Sequence, residues 1–505
     1  MVKGDLPKKV VVECSAELAK PIAIIYNKIT ASFEYPRQWI MEEQTPIPKV
    51  HPPLDENDLR NISGTPFFSK CYESFLADWL LPITKPYLDP GQCGGLSGSS
   101  ISHYMIKLLN FIHTNLDNPT PHAALLAMVD LSKAFNRVSH QLVIEDLFDM
   151  HVPAWLLMIL ISYLTGRTMV LKFKGSVSSS RQLPGSSPQG TFLGVFLFII
   201  KFNGACLRPP VPRHTLPSSQ PKRNDPGAIT VKFVDDLSVC VKADLARELA
   251  GDPTTREMPH TFHERTQHVL KQNSLLQAYL DDLEVFTSSN LLAINEKKTT
   301  VMLFNVSRTL DFPPELTIGN SDFLKVVEEV KLLGIIVTSD LKWEANTKHI
   351  CSKALSKMWM LRRMKRLNVD PLVMLDCFKK EIRCHLELGT ACWHSGLTQK
   401  QTDSIERIQK IAVTIILGEK TEYFLACCIL DIEPLFVRRD DICLRFAKRT
   451  ATAPKSKHKD LFKPIVHSYE FRHDNLHYVE PKCRTSRAYN APLPYLTRRL
   501  NGKSC

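Results

Sequence analysis

The chain has 505 residues, a net charge of +12 and a pI near 9.0, with 44% hydrophobic residues and a mean hydropathy of −0.12. That length holds roughly two to four domains, the composition excludes a disordered or fibrous chain, and apolar runs such as Trp155 to Tyr163 are too short to span a membrane. The 14 cysteines are scattered with no Cys-x-x-Cys or zinc pattern, which excludes a disulfide scaffold and a zinc module.

With no secretory signal after Met1, these thiols predict a soluble protein of a reducing compartment, the cytoplasm or the nucleus. The basic balance favours polyanionic partners, although it says nothing about fold. Residues 1–30 read as a short amphipathic helix with Val10, Val11, Val12, Leu18, Ile22 and Ile25 on its apolar positions. Pro46-Ile47-Pro48-Lys49 then forms an extended segment, followed by Arg60 within Leu59 to Ser63. A lone Lys or Arg is usually a solvated surface residue; two on extended segments ahead of a catalytic centre would suit phosphate contact.

Gly91 to Ser100 is glycine-rich without the Gly-Lys-Ser/Thr of a Walker loop. It is either a flexible loop before the helix beginning near Ile101 or a place of close backbone approach. Ala123 to Val129 is an uninterrupted small and apolar run ending at Asp130, the pattern of a buried strand that delivers an acid at its end. The plainer alternative is that Asp130 caps a helix starting near Ser132. Helices are predicted over Val143 to Phe148 and Ala154 to Leu164, and a strand over Thr168 to Phe173. Pro188-Gln189-Gly190 sets a stiff turn that presents an amide, anchored by a buried helix over Val195 to Ile200.

After a Pro- and Ser-rich loop at 207–227, Val231 to Val239 holds two β-prone runs around Asp235-Asp236, the pattern of a hairpin with acids at its tip. Such a pair is most often a solvated turn. Residues 244–275 are charged and end in a helical pattern. Leu291 to Phe304 reads as a strand pair around a basic turn, and Val330 to Val337 as a strand with Gly334 inside it. Asn346 to Leu367 is a long helix with Ile350, Ala354, Met358 and Leu361 on one face. Its cations Lys353, Lys357, Arg363 and Lys365 tilt the reading from a solvated face towards a polyanion surface. Helices follow near 371–388, 401–417 and 433–450, and the tail from 452 is polar and basic with little core.

An acid at a strand end and an acid pair on a hairpin tip can share two divalent ions, and magnesium favours such oxygens. Two ions about 4 Å apart can activate a hydroxyl and stabilise the leaving oxygen of an in-line displacement, in polymerases and nucleases alike. The acids alone do not choose between these.

The order of the pieces does. Asp130-Leu131-Ser132-Lys133-Ala134-Phe135, Pro188-Gln189-Gly190, Phe233-Val234-Asp235-Asp236, Leu292 to Asn295 with Lys298-Thr299, and Lys331 to Gly334 together resemble the ordered motifs of reverse transcriptases, in particular those of non-LTR (LINE-type, jockey-like) retrotransposons. Flanking segments agree: Trp39, Pro46 to Lys49, Arg60 to Ser63, Ser69-Lys70, Glu73 and Gln92 to Gly94 resemble that group's fingers motifs. Trp393 to Thr398, Ile405 to Gln409 and Arg438-Arg439 resemble the helical region after its thumb.

The resemblance implies an α/β fold with an α+β palm, a right-hand polymerase of fingers, palm and helical thumb plus a helical C-terminal region. Its segments would be a helical lead-in (1–30), fingers (31–122), palm (123–340, with insertions near 207–227 and 244–275), thumb (341–400) and a helical extension with a basic tail (401–505). It implies an RNA-directed DNA polymerase that extends a DNA primer on an RNA template with deoxynucleoside triphosphates and two Mg2+ ions, without a membrane. Asp130 and Asp235 would be the metal ligands and Asp236 a supporting acid. Phe135 would close the pocket against a ribose 2′-hydroxyl, and Gln189 and Gly190 would line the nucleotide and template side. Lys49 and Arg60 would lie near the triphosphate, and Lys298 would neutralise or protonate the leaving pyrophosphate.

The chain departs from the pattern at Asn136 (usually Asp), Ser186 (Gly), Val195 (Pro) and Val234 (Ala), and Gly204 stands where Asp is common. Residues 1–30 leave no room for an endonuclease, so none is expected here. A catalytically decayed nucleic-acid-binding remnant and a metal-dependent nuclease are the rival readings; a nuclease would not require Phe135 or the Pro-Gln-Gly turn.

Overall fold

The computed structural model describes residues 6–50, 52–118, 122–183, 185–205, 227–244, 275–305, 316–319, 323–453, 456–465 and 477–503. The segment at 244–275 and, except for its last residue, that at 207–227 lie outside the described residues apart from their edges.

The chain opens with helices α1 (Lys8–Glu13) and α2 (Ser15–Ser32). The predicted apolar face is partly used: Val11 is buried and Leu18 and Ile22 are half-buried, while Val10, Val12 and Ile25 are exposed, and Ile29 and half-buried Tyr26 add packing contacts. Strands β1 (Met41–Pro48) and β2 (Leu59–Gly64) form an antiparallel pair, followed by helices α3 (Phe67–Thr84) and α4 (Ile101–Leu116). Strand β3 (His122–Val129) leads through a short 3-10 turn to helices α5 (His140–Asp149) and α6 (Ala154–Leu164). Strands β4 (Thr168–Phe173), β5 (Ser176–Val177) and β6 (Arg181–Gln182) return to the first pair, with β4 lying parallel to β1. Helix α7 (Phe192–Lys201) precedes the hairpin β7 (Ala228–Phe233) and β8 (Asp236–Asp244). Helix α8 (Leu275–Ser289), β9 (Thr300–Asn305) and β10 (Lys325–Val326) complete a second sheet of order β10-β9-β3-β8-β7.

This second sheet carries the core, and β3 is its centre. Alternation along β3 sends Ala124, Leu126 and Met128 to one face, against α4, and Leu125, Ala127 and Val129 to the other, against the layer built from α5 to α7. All of these β3 residues are buried, which explains the uninterrupted apolar run. The two sheets interleave along the chain, since β4 and β6, encoded after β3, pair with β1 or extend its sheet. Buried Arg167 fixes this return: its Nε and Nη2 both donate to Glu42 Oε1, at 3.1 and 2.7 Å.

Two strand predictions are corrected. Leu291 to Ile294 forms a single bridge, Leu131 to Ile294, and only Thr300–Asn305 is a strand. Val330 to Val337 is not one strand but a hairpin, β11 (Glu329–Leu332) and β12 (Ile335–Thr338). Its turn residues Leu333 and Gly334 both have positive φ, 50° and 90°, as a two-residue hairpin turn demands.

The rest is helical: α9 (Glu344–Arg366), α10 (Pro371–Cys377), α11 (Gln399–Leu417), α12 (Leu435–Thr452) and α13 (Pro492–Leu500), with shorter turns between them. Ile350, Ala354, Met358 and Leu361 of α9 are buried as predicted, and α9 packs along α11. Lys365 is not a free surface cation: its Nζ donates to Ile416 O at 2.9 Å and Leu417 O at 3.2 Å, closing the end of α11. The tail is also corrected. Phe462, Tyr478, Leu493, Tyr495 and Leu496 are buried, and α13 packs on α12 and α4. Its apolar residues fall too far apart to announce themselves in a basic sequence. Among the described residues no helix is long and apolar enough to cross a membrane.

Candidate active site

Asp130 follows directly on β3, and Asp235 and Asp236 stand at the β7–β8 turn. The strands pair so that Val129 faces Leu237 and Phe233 faces Asp236. One step beyond the Val129–Leu237 pair, the register sets Asp130 opposite Asp236. Asp130 caps no helix: the 3-10 turn that follows begins at Ala134, behind Lys133. Its backbone is pinned instead by Asn295 N, which donates to Asp130 O at 2.8 Å, and by Ser132 N, which donates to Ala293 O at 2.8 Å.

The same clasp delivers Lys298. Lys298 N and Thr299 N both donate to Asn295 O, at 3.1 and 2.9 Å, and this turn brings Lys298 Nζ to 3.7 Å from Asp130 Oδ2. Both side chains are open to solvent, so the pair adds little stability and marks proximity.

The acids press on one another. Burial, followed by the charge of Asp130, pushes the Asp235 carboxyl up; its own backbone amide and Arg60 pull the other way. Asp236 keeps an exposed edge, yet burial and then Asp235 and Asp130 push it up to about 6, against the pull of Arg60. Arg60 of β2 therefore reaches the acids electrostatically across the gap between the two sheets. Lys49, one residue past β1 at the same hairpin end, donates its amide to Asp58 O at 2.7 Å.

Phe135 is half-buried and stacks on Phe198, with ring centroids 4.9 Å apart. Its carbonyl accepts from Ser187 N at 2.8 Å, tying the Asp130 loop to the Pro-Gln-Gly turn. Gln189 O accepts from Ser63 N at 3.0 Å, and Gly190, at φ 123°, lies where a Cβ would come within 3.2 Å of Ser63 O. The turn is thus sewn to β2. Thr191 caps α7 by accepting from Gly194 N at 3.0 Å, and beside it buried Glu73 accepts from Ser69 Oγ at 3.2 Å.

The departures from the pattern have visible consequences. Ser186 is buried at φ 151°, a region that favours glycine, and its Oγ has no partner. Ser186→Gly is expected to stabilise the protein by about 1 kcal/mol, read as a higher urea midpoint. Val234 has φ 61°, unfavourable for a β-branched residue.

The glycine-rich loop makes a close backbone approach to the rest of the chain: a Cβ on Gly94 would lie 2.6 Å from Val234 N. It lies against the hairpin, with Cys93 N donating to Lys232 O at 2.7 Å and Lys232 N to Gly91 O at 2.9 Å. Sequence reasoning missed Lys232, which is fully buried between Asp89 Oδ2 at 2.8 Å and the carbonyls of Phe202 and Asn203, both at 3.0 Å. A single Lys in a β-prone run gives no sign of this.

The donor set suits a hard divalent cation: carboxylate oxygens of Asp130 and Asp235, crowded by mutual repulsion. Among the described residues no group of three or more His, Cys, Asp or Glu forms a metal cage. Magnesium is commonly held by one or two carboxylates and completed by substrate phosphates and water. The raised carboxyls give a pH signature. In the folded chain Asp236 keeps its proton up to about pH 6, against an ordinary value of 3.8. The stability it contributes is full below 3.8 and is lost as pH rises through about 6. Magnesium should therefore raise the melting temperature at pH 8, with an increment that shrinks as pH falls through 6; a scan with and without the ion checks it.

Residues 47–337 match the family described as reverse transcriptase (RNA-dependent DNA polymerase). Among curated proteins, the chain is 25% identical over 358 residues to the probable RNA-directed DNA polymerase from transposon BS of Drosophila melanogaster, covering 69% of this chain and 35% of that one. It is 24% identical over 409 residues to the corresponding protein of the Drosophila melanogaster transposon X-element, covering 79% and 40%. With the RNA-directed DNA polymerase from the mobile element jockey of the same fly it shares 23% identity over 359 residues, covering 69% and 35%. The chain thus spans well under half the length of these relatives. Among solved structures, telomerase from Candida tropicalis in complex with a fragment of telomeric RNA aligns at 11% identity and a TM-score of 0.38, covering 86% of this chain and 67% of that one. The chain belongs to the reverse transcriptase (RNA-dependent DNA polymerase) family, and its relatives bear out the jockey-like resemblance drawn from its motifs.

Proposed function

We propose that this chain is the RNA-directed DNA polymerase of a non-LTR retrotransposon, extending a DNA primer on an RNA template with deoxynucleoside triphosphates. The observation that carries this reading is the register that sets Asp130 opposite the Asp235-Asp236 turn, within residues that match the family. The sheet of β1, β2 and β4 to β6 serves as fingers, the sheet centred on β3 as palm and α9 as the core of the thumb.

Asp130 and Asp235 would hold the two magnesium ions, with Asp236 as a supporting charge. Bound there, the ions would supply Lewis-acid activation of the attacking hydroxyl and would stabilise the leaving oxygen. The protein's own part is positioning and charge. Lys49 and Arg60, at one end of the β1–β2 hairpin, hold the triphosphate; Gln189 and Gly190, sewn to Ser63, give a fixed edge for the base and template. Lys298 Nζ, now beside Asp130, carries the proton and charge that meet the departing pyrophosphate.

The Phe135 ring, braced by Phe198, would close the pocket against a ribose 2′-hydroxyl. Phe135→Ala is expected to raise ribonucleotide incorporation relative to deoxynucleotide by on the order of a hundredfold, a scale typical of steric pocket discrimination. Unchanged sugar selectivity would remove the gate role.

The test of the function is primer extension on an RNA template with magnesium. Template-dependent deoxynucleotide incorporation supports it. Salt-dependent primer-template binding without incorporation would make the chain the non-catalytic remnant, and template cleavage would make it a nuclease.

A further inference from the structure

We propose that Gln92 is the positioning residue of the acid-bearing hairpin, and that Lys457, from far along the chain, holds Gln92 in place. The inference rests on the polymerase reading for its catalytic consequence, and on geometry alone for the positioning.

The hairpin turn needs a restraint. Val234 sits at φ 61°, and a β-branched residue left to itself moves back to negative φ, swinging Asp235 with it. The β7–β8 ladder cannot prevent this, because its last pair is Phe233 with Asp236 and the turn lies outside it.

Gln92 supplies what the ladder lacks. Its side chain is 2% exposed, and its Oε1 accepts from Val234 N at 3.0 Å and from Gly94 N at 2.9 Å. Residues 91–93 already run beside β7 through one isolated parallel bridge, Gln92 with Lys232. The next rung would join Val234 N to Cys93 O, but that bond is not made, and the chain turns away through Gly94 to Gly95, at φ 64°. The Gln92 amide oxygen takes the place of that missing carbonyl. The approach is close: a Cβ on Gly94 would lie 2.6 Å from Val234 N and 2.8 Å from Phe233 C, so Gly94 admits no side chain.

The choice of amide follows from charge. A glutamate could accept the same two bonds, but it would bring a fourth negative charge to Asp130, Asp235 and Asp236, two of which are already pushed up by burial and repulsion. A neutral acceptor fixes the turn without that cost.

Gln92 is in turn held from outside the palm sheet. Lys107 Nζ of α4 donates to Pro90 O at 2.9 Å, and Lys457 Nζ donates to Gln92 O. Lys457 is delivered by a docked segment. The neighbouring His458 hydrogen-bonds Ser99 Oγ at 2.8 Å and stacks on His103, with ring centroids 4.3 Å apart; His103 in turn meets Thr450 Oγ1 of α12 at 3.0 Å. Burial lowers Lys457 to about 8, as befits an ammonium enclosed in this seam. A line of contacts thus runs from α12 through Lys457 and Gln92 to the amide beside Asp235.

The test uses the full chain with Gln92→Met, which keeps the bulk and removes the acceptor, Gln92→Glu, which keeps the acceptor, and Lys457→Met beside Lys457→Arg. Three readouts are taken: hydrogen exchange of the peptide over 233–237, the Mn2+ binding midpoint by electron paramagnetic resonance, and kcat and KM in primer extension. In Gln92→Met, hairpin exchange is expected to quicken about tenfold while the β3 peptide stays as in the unmodified chain. The Mn2+ midpoint should weaken and kcat fall, each about tenfold, with KM for the nucleotide little changed. Gln92→Glu should keep slow hairpin exchange; Lys457→Met should follow Gln92→Met at smaller size, and Lys457→Arg should restore it.

Hairpin exchange and Mn2+ binding unchanged in Gln92→Met would overturn the proposal, as would acceleration spread evenly over β3. A chain that extends no primer but shows the confined acceleration keeps the positioning role and loses the polymerase reading. Full extension by Gln92→Met with unaltered exchange does the reverse.

Discussion

Asp235→Asn should lower deoxynucleotide incorporation by on the order of a thousandfold or more, without loss of stability. The side chain is the half-buried acid at the hairpin tip, raised by burial and by Asp130, so it has nothing in the resting fold that rewards its charge except Arg60 and its own amide. Asparagine keeps the shape and removes the repulsion. The melting temperature at pH 8 should therefore equal or exceed that of the unmodified chain, which separates loss of chemistry from loss of fold. Asp236→Asn should cost less activity, because its exposed edge suits a supporting charge. Incorporation that survives Asp235→Asn would mean that another group holds the metal.

The largest effect on stability is expected at Lys232, not at the site. Its ammonium is enclosed by Asp89, two carbonyls and the face of Phe202, with Nζ 5.2 Å from the ring centroid. Lys232→Met leaves a buried carboxylate without its cation and two carbonyls without a donor, a loss of about 3–5 kcal/mol. A urea titration should show a lower midpoint, and adding Asp89→Asn should recover much of it by neutralising the stranded acid. A surface lysine would show neither effect, so a midpoint unchanged in the single variant refutes the assignment.

These two residues show how far the sequence could be read. The strand ending at Asp130 was legible because seven consecutive buried residues leave an unbroken apolar run, and the hairpin because β-branched runs flank an acid pair. The Pro-Gln-Gly turn was legible from its stiffness, though not its attachment to Ser63, which depends on a strand more than a hundred residues earlier. Lys232 and Arg167 were opaque for one reason: a charged residue buried against a distant partner has the same local signature as one in solvent. The Leu333-Gly334 turn failed differently. Its strands are so short that the apolar run across them reads as one element, and only the paired positive φ values show the break. The tail failed because its apolar residues are spaced by basic ones whose covering partners, α4 and α12, lie elsewhere.

The interleaving of the two sheets bears on how the protein is made. The strand that ends at Asp130 is synthesised well before its neighbours and stays an unpaired edge until β8 and then β9 follow. The β1–β2 pair waits likewise for β4. Contacts this distant in sequence close slowly, so the nascent chain carries exposed strand edges and half-covered apolar faces through much of its synthesis. Helix α13, far downstream of these strands, covers part of α4, whose other face supports the sheet centred on β3. A chain cut short just before α13 would therefore keep every candidate catalytic residue and bare an apolar face, and would be prone to aggregate.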